Sequence, residues 1–255
     1  MIRVRSNAVW HSLPGVVCAY QSISAPDPFA AQQNVAHNGA RFGVYTAMPG
    51  VAPTWNAATG WKFNGTTQYL VTDISPVDGW SAFIRYSNYS TPGAGKYPTF
   101  FSGKESQKFF SVQGNASSLY AYFSNGNYLL VSSNITSNGV IGIAGQQGFL
   151  NGTTHGGAIS TGTGTYAAIY IGQANPINAA DYLTCTIQSF VVCSRVLSRA
   201  EVWLASRQMA YCEQNPDWNA WARRRRYYYA PQAAAAATFQ AAWARNANSV
   251  IQVPL

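Results

Sequence analysis

Glycine and Asn-Gly punctuation recurs throughout residues 40 to 180 and cuts the chain into short runs rich in Tyr, Phe, Val, Ile and Thr. Short β-prone runs between turn signals build a two-sheet sandwich or a barrel, and they exclude a helical bundle. The clearest unit is Leu119-Tyr-Ala-Tyr-Phe123, then Ser124-Asn-Gly-Asn127, then Tyr128-Leu-Leu-Val131. Asn-Gly tolerates the positive φ of a type I′ turn, so this segment is expected to be a hairpin. Further strands are expected at Val16–Tyr20, Tyr69–Thr72, Trp80–Tyr86, Thr99–Phe101, Phe109–Val112, Val140–Ala144, Gly148–Asn151, Ala167–Ile171 and Thr186–Cys193. Residues 20 to 60, with Pro26, Pro28, Pro49 and Pro53, read as irregular chain packed over the sandwich, and residues 151 to 165 as a loop.

Helical periodicity is almost absent before residue 198. There Ser198 and Glu201 form a capping box, and Leu197 and Val202 take the two positions of a hydrophobic staple. The pattern predicts a helix from Arg199 to Cys212, ended by Asn215-Pro216. The organisation expected is an arm over residues 1 to 12, a sandwich with its cap helix over 13 to 214, and a tail over 215 to 255.

The sequence of 255 residues carries a charge of +8, yet only 9% of it is charged. Its surface must therefore be built from Ser, Thr, Asn, Gln and Gly, which suits a virion shell, a secreted lectin or an adhesin. Five of the 16 basic residues, Arg223, Arg224, Arg225, Arg226 and Arg245, follow the last acid, Asp217, leaving 11 basic against 8 acidic groups in residues 1 to 217. The positive charge is thus a property of the tail. No apolar stretch of signal-peptide length follows Arg3 and Arg5, and no window approaches 18 apolar residues, so a soluble protein without a membrane span is expected. Cys18, Cys185, Cys193 and Cys212 form no C-x-x-C pair and are expected to be free, buried thiols.

Two segments resemble a known family. Trp61-Lys-Phe-Asn-Gly-Thr-Thr-Gln-Tyr-Leu70 resembles the strand-turn-strand entry of laminin-G-like domains, and Ile187 to Ser198 with Arg199-Ala-Glu-Val202 resembles their closing strand and helix start. Gly148-Phe-Leu-Asn-Gly152 and Tyr170-Ile-Gly172 are similar to an internal hairpin and strand of the same domains. The resemblance implies a concanavalin A-like, all-β, two-sheet antiparallel jelly-roll sandwich with one short C-terminal helix and an extended tail. Beyond it, Asn215-Pro-Asp-Trp-Asn-Ala-Trp221, the Arg/Tyr stretch and Ala230-Pro231 resemble the ends of phage-encoded members.

Glycosidases need two carboxylates flanking the scissile bond, about 5–5.5 Å apart in retaining enzymes. Glu105, Glu201 and Glu213 are isolated along the chain, so the sequence leads to the expectation that the protein is not an enzyme. No G-x-S-x-G elbow accompanies His11, His37 or His155. No cofactor is expected; calcium at Asp73, Asp78 and Asp181 is the one metal considered, and Gln188 stands where the resembled family carries an acid.

Sugar binding would use exposed aromatic rings, with Trp55, Trp61, Tyr89, Tyr97 and Tyr128 as candidates, although any of them can equally be core. In the tail, Arg223 to Arg226 with Tyr227, Tyr228 and Tyr229 combine charge with stacking faces, and Trp243, Val250, Ile251 and Val253 read as an extended strand. Four arginines and Ala233 to Ala237 need a partner to order them, so docking on other virion proteins or further copies of this chain is expected ahead of nucleic acid. The expectation is a structural protein on the surface of a bacteriophage particle, in capsid decoration or in a tail fibre, with recognition of host glycans as the alternative.

Overall fold

The computed structural model describes residues 10–36, 45–93, 95–105, 108–115, 118–123, 127–133, 136–155, 166–174 and 181–214. In chain order its strands are β1 (Val16–Gln21), β2 (Met48–Val51), β3 (Thr54–Asn56), β4 (Gly60–Lys62), β5 (Tyr69–Val71), β6 (Ser81–Ser87), β7 (Thr99–Glu105) and β8 (Lys108–Gly114). They continue as β9 (Leu119–Phe123), β10 (Asn127–Ser132), β11 (Gly139–Ala144), β12 (Gln147–Leu150), β13 (Thr153–His155), β14 (Tyr170–Ile171) and β15 (Thr186–Cys193). Helix α1 (Pro28–Gln32) lies between β1 and β2, and α2 (Arg199–Gln214) follows β15.

Every pairing is antiparallel. One sheet of eight strands runs β13-β12-β11-β6-β15-β4-β3, with β1 also paired to β15; the other, of seven, runs β10-β9-β8-β7-β14-β5-β2. The fold is a two-sheet β-sandwich, as the punctuated sequence predicts.

The eight residues of β15 are all buried, and Phe190 to Cys193 are apolar on both faces, as a central strand requires. Phe190 and Val192 face the interior, where Phe190 stacks on Tyr20 of neighbouring β1 (6.2 Å) and meets Phe101 of the opposite sheet (5.3 Å). Val191 and Cys193 face outward into a second apolar layer with Phe83, Phe149, Leu197, Val202, Ala205 and Met209. Helix α2 therefore covers the outside of the eight-stranded sheet.

Its start has the predicted chemistry. The Ser198 N–H donates to Glu201 Oε2 (2.9 Å), the Glu201 N–H donates to Ser198 Oγ (3.4 Å), and Leu197 and Val202 are both buried. Arg195 adds a bidentate pair to Glu201 and donates from Nε to the Pro14 carbonyl (2.9 Å), tying the helix to the start of β1. That guanidinium, with the Ser198 donors, holds the Glu201 carboxyl down at about 2.

The turns obey their residues. Asn151 and Gly152 both have positive φ (52° and 83°), the type I′ geometry, joining β12 to β13. Asn64 Oδ1 accepts from the N–H groups of Thr66 and Thr67 (3.0 Å each), closing the turn after Phe63. Gly148 marks a close approach of the two sheets: a Cβ there would lie 2.6 Å from Val131 Cγ2 and 3.1 Å from Ala121 Cβ.

Several expectations need correction. Residues 20 to 60 hold α1, β2 and β3; Asp27 caps α1 by accepting from the Ala30 N–H (2.6 Å), with Pro28 in the first turn where its missing N–H costs nothing. Residues 153 to 155 pair with β12 and are strand, because the I′ turn returns the chain antiparallel. Trp10, read as part of an arm, is fully buried in the layer beneath α2. Cys18, Cys185 and Cys193 are free and buried as expected, and burial pushes the Cys193 thiol up to about 12; the Cys212 side chain lies outside the described residues. So does the whole tail, 215 to 255, with every docking residue assigned to it.

Candidate ligand-binding face

Alternation along β8, β9 and β10 divides each strand between two environments. Phe110, Val112, Leu119, Ala121 and Val131 are buried in the inter-sheet core, with Leu129 packed against it. Phe109, Tyr120, Tyr122, Tyr128 and Leu130 fall on the opposite, outer face. Tyr128 lies opposite Tyr122 across the β9–β10 ladder, and Leu130 opposite Tyr120. The rings touch as a group: Tyr120–Tyr128 at 5.4 Å edge-on, Tyr122–Tyr128 at 5.6 Å, Phe109–Tyr122 at 5.8 Å. Tyr128 is 60% exposed and Leu130 47%.

The face continues across the sheet with polar residues. Ser111 lies opposite Tyr122 on one side and Ser102 on the other, and Ser102 lies opposite Tyr170. Ser102 and Ser111 are themselves fully buried, so the face is closed to solvent here, and among the described residues their hydroxyls have no hydrogen-bond partner. Beyond them Tyr170 stacks on Tyr69 at 5.6 Å with planes 15° apart. From Tyr128 on β10 to Tyr170 on β14 the row crosses four strand steps, about 19 Å at about 4.8 Å a step.

Burial, followed by the neighbouring Tyr120, Tyr128, Tyr97 and Asp181, pushes the Tyr122 phenol up to about 12. It is therefore neutral at physiological pH and both donates and accepts hydrogen bonds. Asn115 Nδ2 donates to the Tyr120 hydroxyl (3.3 Å) and orients that ring.

The five aromatic candidates from the sequence separate sharply. Tyr128 belongs to this cluster, and Tyr97, 46% exposed, lies close enough to act on the Tyr122 phenol. Trp61 and Tyr89 are core, so their assignment to a ligand is corrected: Trp61 packs beside Tyr20, and Tyr89 stacks on Phe100 at 5.3 Å. Trp55, half-buried, lies opposite Trp61 and donates from Nε1 to the Ser22 carbonyl (2.9 Å), which fixes it as a packing residue on the other sheet. Tyr120, Tyr122 and Phe109 were missed, although the hairpin signal holds the clue: closing the turn at Phe123 and Asn127 puts Tyr122 beside Tyr128.

The candidate calcium ligands are not assembled. Among the described residues no three His, Cys, Asp or Glu side chains form a metal-sized group, and the Asp78 carboxylate accepts the Tyr166 hydroxyl.

No protein-family model matches this sequence. No curated protein matches it either. Solved structures do match its fold. One is Trypanosoma rangeli sialidase in complex with sialic acid, at TM-score 0.54 and 16% identity over 76% of this chain and 33% of that one. Another is a mutant of the same sialidase displaying trans-sialidase activity, at TM-score 0.56 and 15% identity over 80% and 34%. A third is the receptor binding domain of botulinum neurotoxin type G, at TM-score 0.52 and 14% identity over 76% and 51%. The shared feature is the jelly-roll-like β-sandwich. The chain spans about a third of the sialidase chains and half of the toxin domain, and identities this low carry the fold alone. The expectation that the protein is not an enzyme is overturned by these matches: the same sandwich occurs within the chains of an enzyme, so scattered acids on this fold do not justify that exclusion.

Proposed function

We propose that the outer face of the seven-stranded sheet binds glycans, with Tyr122 and Tyr128 as the stacking platform and Tyr120 and Phe109 as its supports. One observation carries the reading: a contiguous set of touching aromatic rings on the outer side of the sheet, open to solvent at Tyr128 and Leu130. Tyrosine offers an apolar ring to the C–H face of a sugar and a hydroxyl to its oxygens at little conformational cost. Exposed apolar patches of this kind mark binding surfaces.

The test is a glycan array followed by calorimetric titration of the best ligand. Tyr122→Ala and Tyr128→Ala are expected to weaken binding at least tenfold with the fold intact. An array on which the folded protein binds no glycan ends the reading.

A second reading concerns location. Low charge in the body, five uncompensated arginines after Asp217, and the resemblance of residues 215 to 231 to phage-encoded chains favour a laminin-G-like protein on a bacteriophage surface, held to virion neighbours by its tail. Deleting residues 223 to 255 should leave a glycan-binding domain that no longer joins particles. Retention on particles after the deletion would remove the tail from the attachment.

A further inference from the structure

The sheet edges of this sandwich are not alike. Strand β2 carries Pro49 and a register shift, β3 and β13 are three residues each, and the outer side of β1 is covered by residues 34 and 35 through Val35 N–H to the Ala19 carbonyl (2.8 Å) and Asn34 Nδ2 to the Val17 carbonyl (3.1 Å). These are the devices that keep a sheet edge from recruiting another strand. Strand β10 has none of them along Tyr128 to Leu130. It reads Asn127-Tyr-Leu-Leu-Val-Ser132, without proline or charge, pairs only with β9 among the described strands, and keeps its register until the shift between Leu130 and Ser132. Tyr128 and Leu130, two of its outward residues, are among the most exposed large apolar side chains described.

The strand is its own complement. In an antiparallel ladder, residues opposite one another share a face. Setting Leu129 on a two-fold axis opposite its own copy therefore puts Tyr128 opposite Leu130 of the second copy, and Leu130 opposite Tyr128 of the second copy. Both exposed apolar side chains gain an aromatic–aliphatic partner, and half-buried Leu129 gains its twin on the core side. Nothing along the strand is charged, so a chain of +8 meets itself here without like charges facing each other.

We propose that β10 pairs antiparallel with β10 of a second copy, joining two seven-stranded sheets into one continuous sheet. Such an interface is isologous and closes as a dimer. It sets two aromatic faces side by side on the same surface, so a multivalent ligand is engaged twice. The pairing stands on the edge and its register, independently of what the aromatic face binds.

Sedimentation of the full-length chain across a concentration series is expected to show a reversible shift to twice the monomer mass. The double variant Tyr128→Lys with Leu130→Lys, which puts lysine opposite lysine twice, should remain monomeric with unchanged circular dichroism. To check register, Tyr128→Cys protein is mixed with Leu130→Cys protein under mild oxidation; the mixture should form disulfide-linked dimers faster than either variant alone, and the wild type should not. A wild type that stays monomeric at all soluble concentrations overturns the proposal. So does a dimer that survives the lysine pair and shows no preferential cross-link in the mixture.

Discussion

The two outer faces of the sandwich use the same strand alternation to opposite ends. On the eight-stranded sheet the outward residues Phe83, Val140, Phe149, Val191 and Cys193 are sealed under α2 and the turn at Trp10–Ser12. On the seven-stranded sheet the outward residues of β9 and β10 are large and aromatic as well, yet Tyr128 and Leu130 remain in solvent. The difference is the cover. Burying an outer face against a helix makes it a second core, whereas leaving it open commits the same side chains to contact with something outside the fold. Hydrophobic composition cannot distinguish the two, because both outer faces carry large apolar residues.

The comparison is broken most easily from the covered side. Trp10→Ala removes a fully buried ring from the layer beneath α2 and is expected to cost about 3–5 kcal/mol in denaturant unfolding. A loss below about 1 kcal/mol would mean that the N-terminal turn is not part of the cover.

A smaller effect is expected where the cover begins. Ser198→Ala removes the oxygen that accepts the Glu201 N–H and should destabilise the protein by about 1 kcal/mol. The same cap gives a pH signature. The Glu201 carboxyl, held at about 2 chiefly by Arg195, titrates near 4.3 in an unfolded chain. Its depressed folded value means that its contribution is complete above about pH 4.3 and disappears as the pH falls toward 2. The pair is partly exposed, 37% for Arg195 and 27% for Glu201, so the contribution is modest and salt-sensitive. The stability gap between wild type and Glu201→Gln should therefore close across that acid window; a gap independent of pH would remove the ion pair from the account.

The open side should give the smallest response. Tyr128→Ala is expected to change unfolding stability by no more than about 0.5 kcal/mol, because most of the ring is already in water. If it costs as much as Trp10→Ala, the two faces are equivalent and the contrast fails.

Legibility in the sequence followed the range of the interactions. The capping box at Ser198, the hairpin from Leu119 to Val131 and the buried strand Thr186–Cys193 rest on contacts between close neighbours in the chain or, for the strand, on the apolar run Phe190 to Cys193, and all three were readable. Helix α1 was readable too, from Asp27-Pro28, but four prolines in the same stretch masked it. Of the ligand candidates only Tyr128 and Tyr97 lie at the exposed face, because Trp61 and Tyr89 are aromatic for the sake of packing.

By itself, then, the sequence determined the fold class, the strand and turn rhythm, the cap of α2 and the segregation of charge into the tail. Each follows from local backbone preference, side-chain alternation or simple counting. Only the tertiary structure decided which aromatic rings are core and which are surface. Alternation assigns a residue to one of two faces, but a face becomes interior only when another layer lands on it, and that depends on contacts between residues far apart in the chain.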